Sequence, residues 1–186
     1  LAKKGYFDYK KLSEFRKIDG NLQGHPDMNK VPGVDMSAGS LGQGLSVANG
    51  MALNSKMEEL GYRVFCILGD GEIEEGQVWE AAMTASKYKL DSLCVIVDNN
   101  NLQIDGTIEE VKALEDIEGK FEKFGFNVIT VNGNNISDLI KAFDKARFVK
   151  GKPSVIVAIT TKGKGVSFME GKSEWHGKAP NEEQYK

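Results

Sequence analysis

The apolar residues of this chain gather in two compact runs, Arg63-Val64-Phe65-Cys66-Ile67-Leu68 and Leu93-Cys94-Val95-Ile96-Val97, separated by a segment of helical length. Runs of this size predict strands buried on both faces, and the strand, helix, strand succession predicts a βαβ unit. Asn127 to Val131 and Ser154 to Thr160 repeat the strand pattern. Between them and before them the period changes: Leu114, Ile117, Phe121 and Phe124 mark a helix ended by Gly125, and Leu139, Ile140, Phe143 and Ala146 mark another. Upstream, Asp8 is placed to cap a helix through Ile18, with Leu12, Phe15 and Ile18 on its apolar side and Asp19-Gly20 as its stop. Leu41 to Leu60 predicts a further helix whose apolar and small residues lie nearly all round. It is expected to be buried, with Gly44, Ala48 and Ala52 admitting a close neighbour. The sum is an α/β fold, a doubly wound and mostly parallel sheet with helices on both faces.

Composition alters that picture little. With 186 residues, 40% hydrophobic and 27% charged, the chain suits a single domain spanning residues 1–186. A net charge of −3 supplies no basic face, so no nucleic-acid partner is expected. No apolar stretch reaches membrane-spanning length and nothing at the start resembles a signal peptide, so no membrane partner is expected either. Cys66 and Cys94 fall inside the predicted strands, where a free thiol acts as a small apolar side chain, and two such thiols point to a reducing, cytoplasmic location.

The polar residues that close the two apolar runs carry the chemistry. Gly69-Asp70-Gly71 follows the first run and Asn99-Asn100 the second, about thirty residues later. Both therefore sit at the carboxyl ends of parallel strands, where open α/β sheets bind ligands. Glycine on either side of Asp70 lets the backbone turn sharply and a bulky anion come close. Asp70 offers a carboxylate oxygen, Asn100 an amide oxygen and the loop near Leu102 a main-chain carbonyl, hard donors that suit Mg²⁺ or Ca²⁺. Glu72, Glu74 and Glu75 crowd the same turn. A carboxylate roughly 4 Å from a phosphate is repelled by ~4 kcal/mol at an effective dielectric of about 20. A divalent cation reverses that sign, so the acid-rich turn predicts metal and diphosphate together.

With their neighbours, these residues resemble a known family. Gly-Asp-Gly followed by Asn-Asn is similar to the thiamine diphosphate-binding motif. Gly24-His25-Pro26-Asp27, Pro32-Gly33-Val34, Ser37 through Gly44, Gly69 through Gly76, Ile104-Asp105-Gly106 and Trp175-His176-Gly177 stand in the order of the transketolase diphosphate-binding domain. The resemblance runs from about Gly24 to the C-terminus, and several short motifs agree in order and spacing. It implies thiamine diphosphate held through Mg²⁺ (or Ca²⁺), with Asp70, Asn100 and Leu102 on the metal and Gly39, Ser40, Leu41, Gly69, Gly71, Glu72, Asn100 and Leu102 on the cofactor. It implies catalytic roles for His25 on the donor sugar's hydroxyls, for His176 near the phosphate and substrate, and for Glu75 in a carboxylate network across the active-site interface. The activity implied is transfer of a two-carbon ketol unit from a ketose phosphate to an aldose phosphate. The family's domain begins further upstream, so the chain is expected to lack an N-terminal portion. The glutamate that activates the cofactor is expected from a C-terminal transketolase chain carrying the pyrimidine-binding domain, in a homodimer or heterotetramer.

Plainer readings compete. Asp70 also suits the cap of the following helix, Asn99-Asn100-Asn101 a turn, His25 a surface position, Glu75 a first-turn acid, Leu41 the core, and Lys162-Gly163-Lys164-Gly165 a solvated loop in place of a flap over the diphosphate. Dihydroxyacetone synthase and deoxyxylulose-phosphate synthase share Gly-Asp-Gly, although Gly-His-Pro-Asp and Leu-Gly-Gln-Gly favour the transketolase-like branch. A non-catalytic cofactor-binding module is the other alternative. Rival motifs fail: five residues rather than four separate Gly165 from Gly171-Lys172-Ser173, Glu74 stands where a dinucleotide fingerprint needs glycine, and an EF-hand from Asp98 meets Gln103 where glycine is required.

Overall fold

The computed structural model describes residues 1–113 and 115–186. In chain order the regular elements are α1 (Gly44–Met57), β1 (Val64–Gly69), α2 (Gly76–Lys87), β2 (Leu93–Asn99), a small hairpin of β3 (Leu102–Gln103) and β4 (Gly106–Thr107), α3 (Ile108–Lys112), α4 (Ile117–Lys123), β5 (Asn127–Asn132), α5 (Ile136–Phe148), β6 (Ser154–Ile159) and α6 (Glu182–Tyr185). The four long strands form one parallel sheet in the order β1-β2-β6-β5. Gly69 lies opposite Asp98, and Asp98 opposite Ala158, so the polar ends of the strands line up along one rim.

The sheet is doubly wound, as expected. On one face Val64, Cys66, Leu68, Val95, Val97, Val155 and Val157 pack with Ala48 and Ala52 of α1, Val78 and Ala82 of α2, and Phe121 of α4. On the other, Cys94 and Ile156 meet Ala142 and Ala146 of α5. The two thiols thus belong to separate cores, and both are free and buried. The expectation that β1 is buried on both faces fails. Its residues alternate, with Phe65 56% and Ile67 74% exposed. β1 is an edge strand, and α5 covers β5 and β6, reaching β1 through the Phe143 ring set edge-on to Phe65 at 5.8 Å.

Other boundaries shift for local reasons. Asp8 does accept from the Lys10 N–H, at 2.9 Å, yet only a 3-10 helix, Tyr9–Glu14, follows. Phe15 leaves the helical region, Arg16 is left-handed at φ 59°, and Leu12, Phe15 and Ile18 stay exposed. A helix this short needs its apolar side covered, and among the described residues no neighbour covers it. α1 starts three residues later than Leu41 and ends before Leu60, and it buries one side, not all round: Leu45, Ala48, Asn49, Ala52 and Ser55 are inside, while Val47 and Met57 are exposed. Leu114, assigned by periodicity to the following helix, lies outside the described residues. That helix, α4, begins at Ile117 behind an Asp116 cap and stops at Gly125, φ 86°.

Candidate metal and diphosphate site

Asp70 immediately follows β1 and is 2% exposed. Its Oδ1 accepts from the Gly71 N–H at 2.9 Å and its Oδ2 from the Asn101 N–H at 2.5 Å. It does not cap α2, whose N-cap is Glu75, so the plain capping role is excluded. Burial pushes the Asp70 carboxyl up, against the main-chain hydrogen bonds of Asn101, Gly71 and Asn100, and the charge of Asp98 adds to the push. Among the described residues no ion pair includes Asp70. A carboxylate withdrawn from water without a counter-charge is costly, and a cation at this corner would supply the missing charge. The Asn100 Oδ1 accepts from the Leu102 N–H at 3.1 Å, and Asn101 takes the left-handed turn conformation, φ 61°. Asp70 and Asn100 thus stand just beyond the ends of paired strands. Among the described residues no three His, Cys, Asp or Glu side chains gather into a metal cage. The donors at this corner fit a hard ion that draws its remaining oxygens from a phosphate ligand and water.

The glycines beside Asp70 act differently from the sequence expectation. Gly71 has an ordinary helical φ of −64°, so no strained turn demands it. What it provides is room, since a Cβ there would stand 3.1 Å from the Gln103 Cβ. Gln103 in turn donates to Glu74 at 3.0 Å, drawing the β3–β4 hairpin over the acidic turn. Gly69, half-buried at the end of β1, gives its N–H to Glu72.

Gly39, Ser40 and Leu41 are exposed on the loop before α1. The loop is bound to the acidic turn through the next residue: the Gly42 N–H donates to the Glu72 Oε1 at 2.9 Å. Gly42 is left-handed, φ 81°, and a Cβ there would lie 2.8 Å from the Glu75 Cβ. Glu75 itself is exposed at the N-cap of α2 and makes no capping hydrogen bond. His25, exposed, packs its ring on Gly39, where a Cβ would fall 2.8 Å from the His25 Cγ. His25, the Gly39–Leu41 loop, Glu72, Glu75 and the Asp70 corner thus form one continuous chain of contacts.

His176 joins from the other side. Its Nδ1 is 3.2 Å from the Lys162 Nζ, and the tautomer that accepts from the lysine there is the one with its N–H at Nε2. Lys162 lines a cleft of about 810 Å³ with Asn100, Asp98, Asn134 and Thr160 at its polar mouth and Ile67, Ile96, Leu139 and Phe143 on its apolar floor. Asn134 accepts from the Thr161 N–H at 2.8 Å, and Thr160 hydrogen-bonds Asp98. The segment after β6 is folded on itself by the Trp175 indole donating to the Phe168 carbonyl, 3.0 Å, and by the Lys164–Glu170 pair, 3.4 Å. Sequence reasoning does not single out Lys162 or Asn134. The lysine is visible there only as part of a glycine-rich flap, and Asn134 only as one of a run of polar turn residues.

Residues 2–186 match the family described as transketolase, thiamine diphosphate binding domain. The chain belongs to the transketolase family. It is 42% identical over 185 residues to one subunit of the apulose-4-phosphate transketolase of Phocaeicola vulgatus, covering 100% of this chain and 66% of that one. It is 44% identical over 186 residues to the 6-deoxy-6-sulfo-D-fructose transketolase subunit SqwG of a Clostridium species, covering 100% and 68%. Among solved structures, the transketolase of Campylobacter jejuni superposes with a TM-score of 0.84 at 32% identity, over 89% of this chain and 27% of that chain. The chain thus spans about two thirds of the subunit relatives and about a quarter of the longer enzyme.

Proposed function

We propose that this chain provides the diphosphate- and metal-binding part of a transketolase that moves a two-carbon ketol unit between sugar phosphates, working with a partner chain that carries the pyrimidine-binding domain. The observation that carries the reading is the buried Asp70, which lacks a cationic side-chain partner among the described residues and accepts from the Asn101 N–H, next to Asn100 at the tip of the adjacent strand. Asp70, Asn100 and the main chain near Leu102 would hold Mg²⁺ or Ca²⁺. Lys162 lines the cleft with Asn100 and His176 touches Lys162, so the lysine and the imidazole would meet the phosphate end. The Gly39–Leu41 loop would meet the aminopyrimidine, and His25, exposed on Gly39, is free to hydrogen-bond a sugar hydroxyl. When bound, thiamine diphosphate supplies the electron sink that lets a ketose carbon–carbon bond break. This chain's own part is to anchor charge, orient the cofactor and hold the substrate. Glu75, exposed at the N-cap of α2, would face the partner chain, and the activating glutamate would come from that partner. Two buried free thiols suit a cytoplasmic setting.

The test combines the full-length chain, its partner chain, thiamine diphosphate and Mg²⁺, and follows two-carbon transfer from a ketose phosphate to an aldose phosphate. Because the two subunit relatives are named for different sugars, the donor panel includes an apulose 4-phosphate and a sulfonated ketose. Asp70→Ala is expected to lower activity at least about 100-fold, the scale of losing a metal-anchored ligand. Full activity in that variant removes the metal assignment. Cofactor binding with no turnover by any donor supports the binding-module alternative.

A further inference from the structure

Glu72 is the side chain of the acidic turn that grips two separate segments at once. Its Oε1 accepts from the Gly42 N–H at 2.9 Å and its Oε2 from the Gly69 N–H at 3.1 Å. Gly42 ends the loop before α1, and Gly69 ends β1 beside Asp70. A carboxylate with one main-chain donor on each oxygen is a fork, and charge-assisted bonds of this kind are shorter and stronger than neutral ones. Gly42 is buried, so its N–H has little water to turn to if the fork is removed. We infer that Glu72 is a positioning residue: it fixes the Gly39–Leu41 loop at a set distance from the Asp70 corner, so that the ring end and the diphosphate end of one cofactor are held in register. This rests on the cofactor reading above, and it gives Glu72 a task on the main chain of two segments that is separate from any contact with the cofactor.

The residue type follows from the span. Aspartate is a methylene short of bridging the two segments. Glutamine keeps one acceptor and turns an NH₂ group against the second N–H, so it preserves half the fork. Alanine removes both halves. None of these changes alters Asp70, Asn100 or the side chains at the cleft mouth.

The experiment uses the full-length chain assembled with its partner chain, as wild type, Glu72→Gln and Glu72→Ala. Amide hydrogen exchange is read at Gly42 and Gly69, with the β2 and β6 amides as the internal measure that the sheet is intact. Exchange at the two glycines is expected to rise about 10-fold or more in Glu72→Ala and by less in Glu72→Gln. The apparent KM for thiamine diphosphate is expected to rise about 10-fold while kcat at saturating cofactor stays within about 2-fold, the pattern of lost preorganisation. Unchanged exchange at both glycines overturns the inference, and so does a loss of kcat with KM unmoved. Should the wild-type assembly show no thiamine diphosphate dependence, the cofactor reading falls, and the exchange result alone still decides whether Glu72 holds the two segments together.

Discussion

A carboxylate shut away from water without a cationic neighbour sets the terms at the scale of single residues. The sequence announces Asp70 and Asn100 by type and spacing, and the structure puts them at adjacent strand tips. What the letters do not disclose is that the Asp70 oxygens are already met by the Gly71 and Asn101 N–H groups, because that depends on Asn101 adopting φ 61°. The fork made by Glu72 is hidden for the same reason: it joins residues about thirty apart through main-chain atoms, which leave no mark on composition. The two cysteines are fully legible. Burial pushes Cys66 up to about 12, with a further push from the Glu72 charge, and Cys94 up to about 11, against an ordinary thiol value of 9.0. The folded chain keeps protons that the unfolded chain releases, so this contribution to stability is complete below pH 9 and is lost as the pH climbs toward 11 and 12. Native protein at about pH 8 is expected to resist a disulfide-exchange reagent, with both thiols titrating only in denaturant. A thiol that reacts quickly without denaturant contradicts the burial.

At the scale of elements, periodicity locates the long helices and strands, and it misjudges how much of each is covered. A pattern such as Leu12, Phe15, Ile18 states which side is apolar and is silent on whether a neighbour exists to receive it. The same limit makes β1 look doubly buried, although only alternate residues are inside. The β3–β4 hairpin and α3 are too short to show a period. α3 nevertheless carries a readable signature, a Thr107 and Glu110 capping box, and the Thr107 hydrogen bonds hold the Glu110 carboxyl below its usual range. The small residues of α1 do form a close-packing seam: Ala48 and Ala52 are buried against the sheet, and Asn49 gives its amide to the Ala81 carbonyl of α2 at 2.8 Å. Ala52→Leu is expected to cost about 1–3 kcal/mol through overpacking. Urea unfolding measures it, and a change within about 0.5 kcal/mol means that the seam has slack.

At the scale of the molecule, the open side of the sheet dominates behaviour. Phe65 and Ile67 stand exposed beside the apolar surface formed by Ile96, Leu139 and Phe143, on a strand whose outer edge is unpaired among the described residues. Contiguous apolar surface on an edge strand drives association. This chain taken alone is therefore expected to self-associate as its concentration rises, and Ile67→Lys to shift it toward the monomer, as read by sedimentation or light scattering. Equal association of the two proteins would place the sticky surface elsewhere. The sheet order has a consequence of a different kind. β1, α2 and β2 form one local unit, and β5, α5 and β6 form another. The sheet stitches the two together along the β2–β6 pairing, which opens with Cys94 opposite Ser154, about sixty residues apart. Contacts between near neighbours along the chain close sooner than distant ones. On a ribosome the half bearing Asp70 and Asn100 emerges first, so its acid-rich turn leaves the tunnel ahead of Lys162 and His176, and the cleft that Asn100 and Lys162 share closes only when β6 pairs with β2.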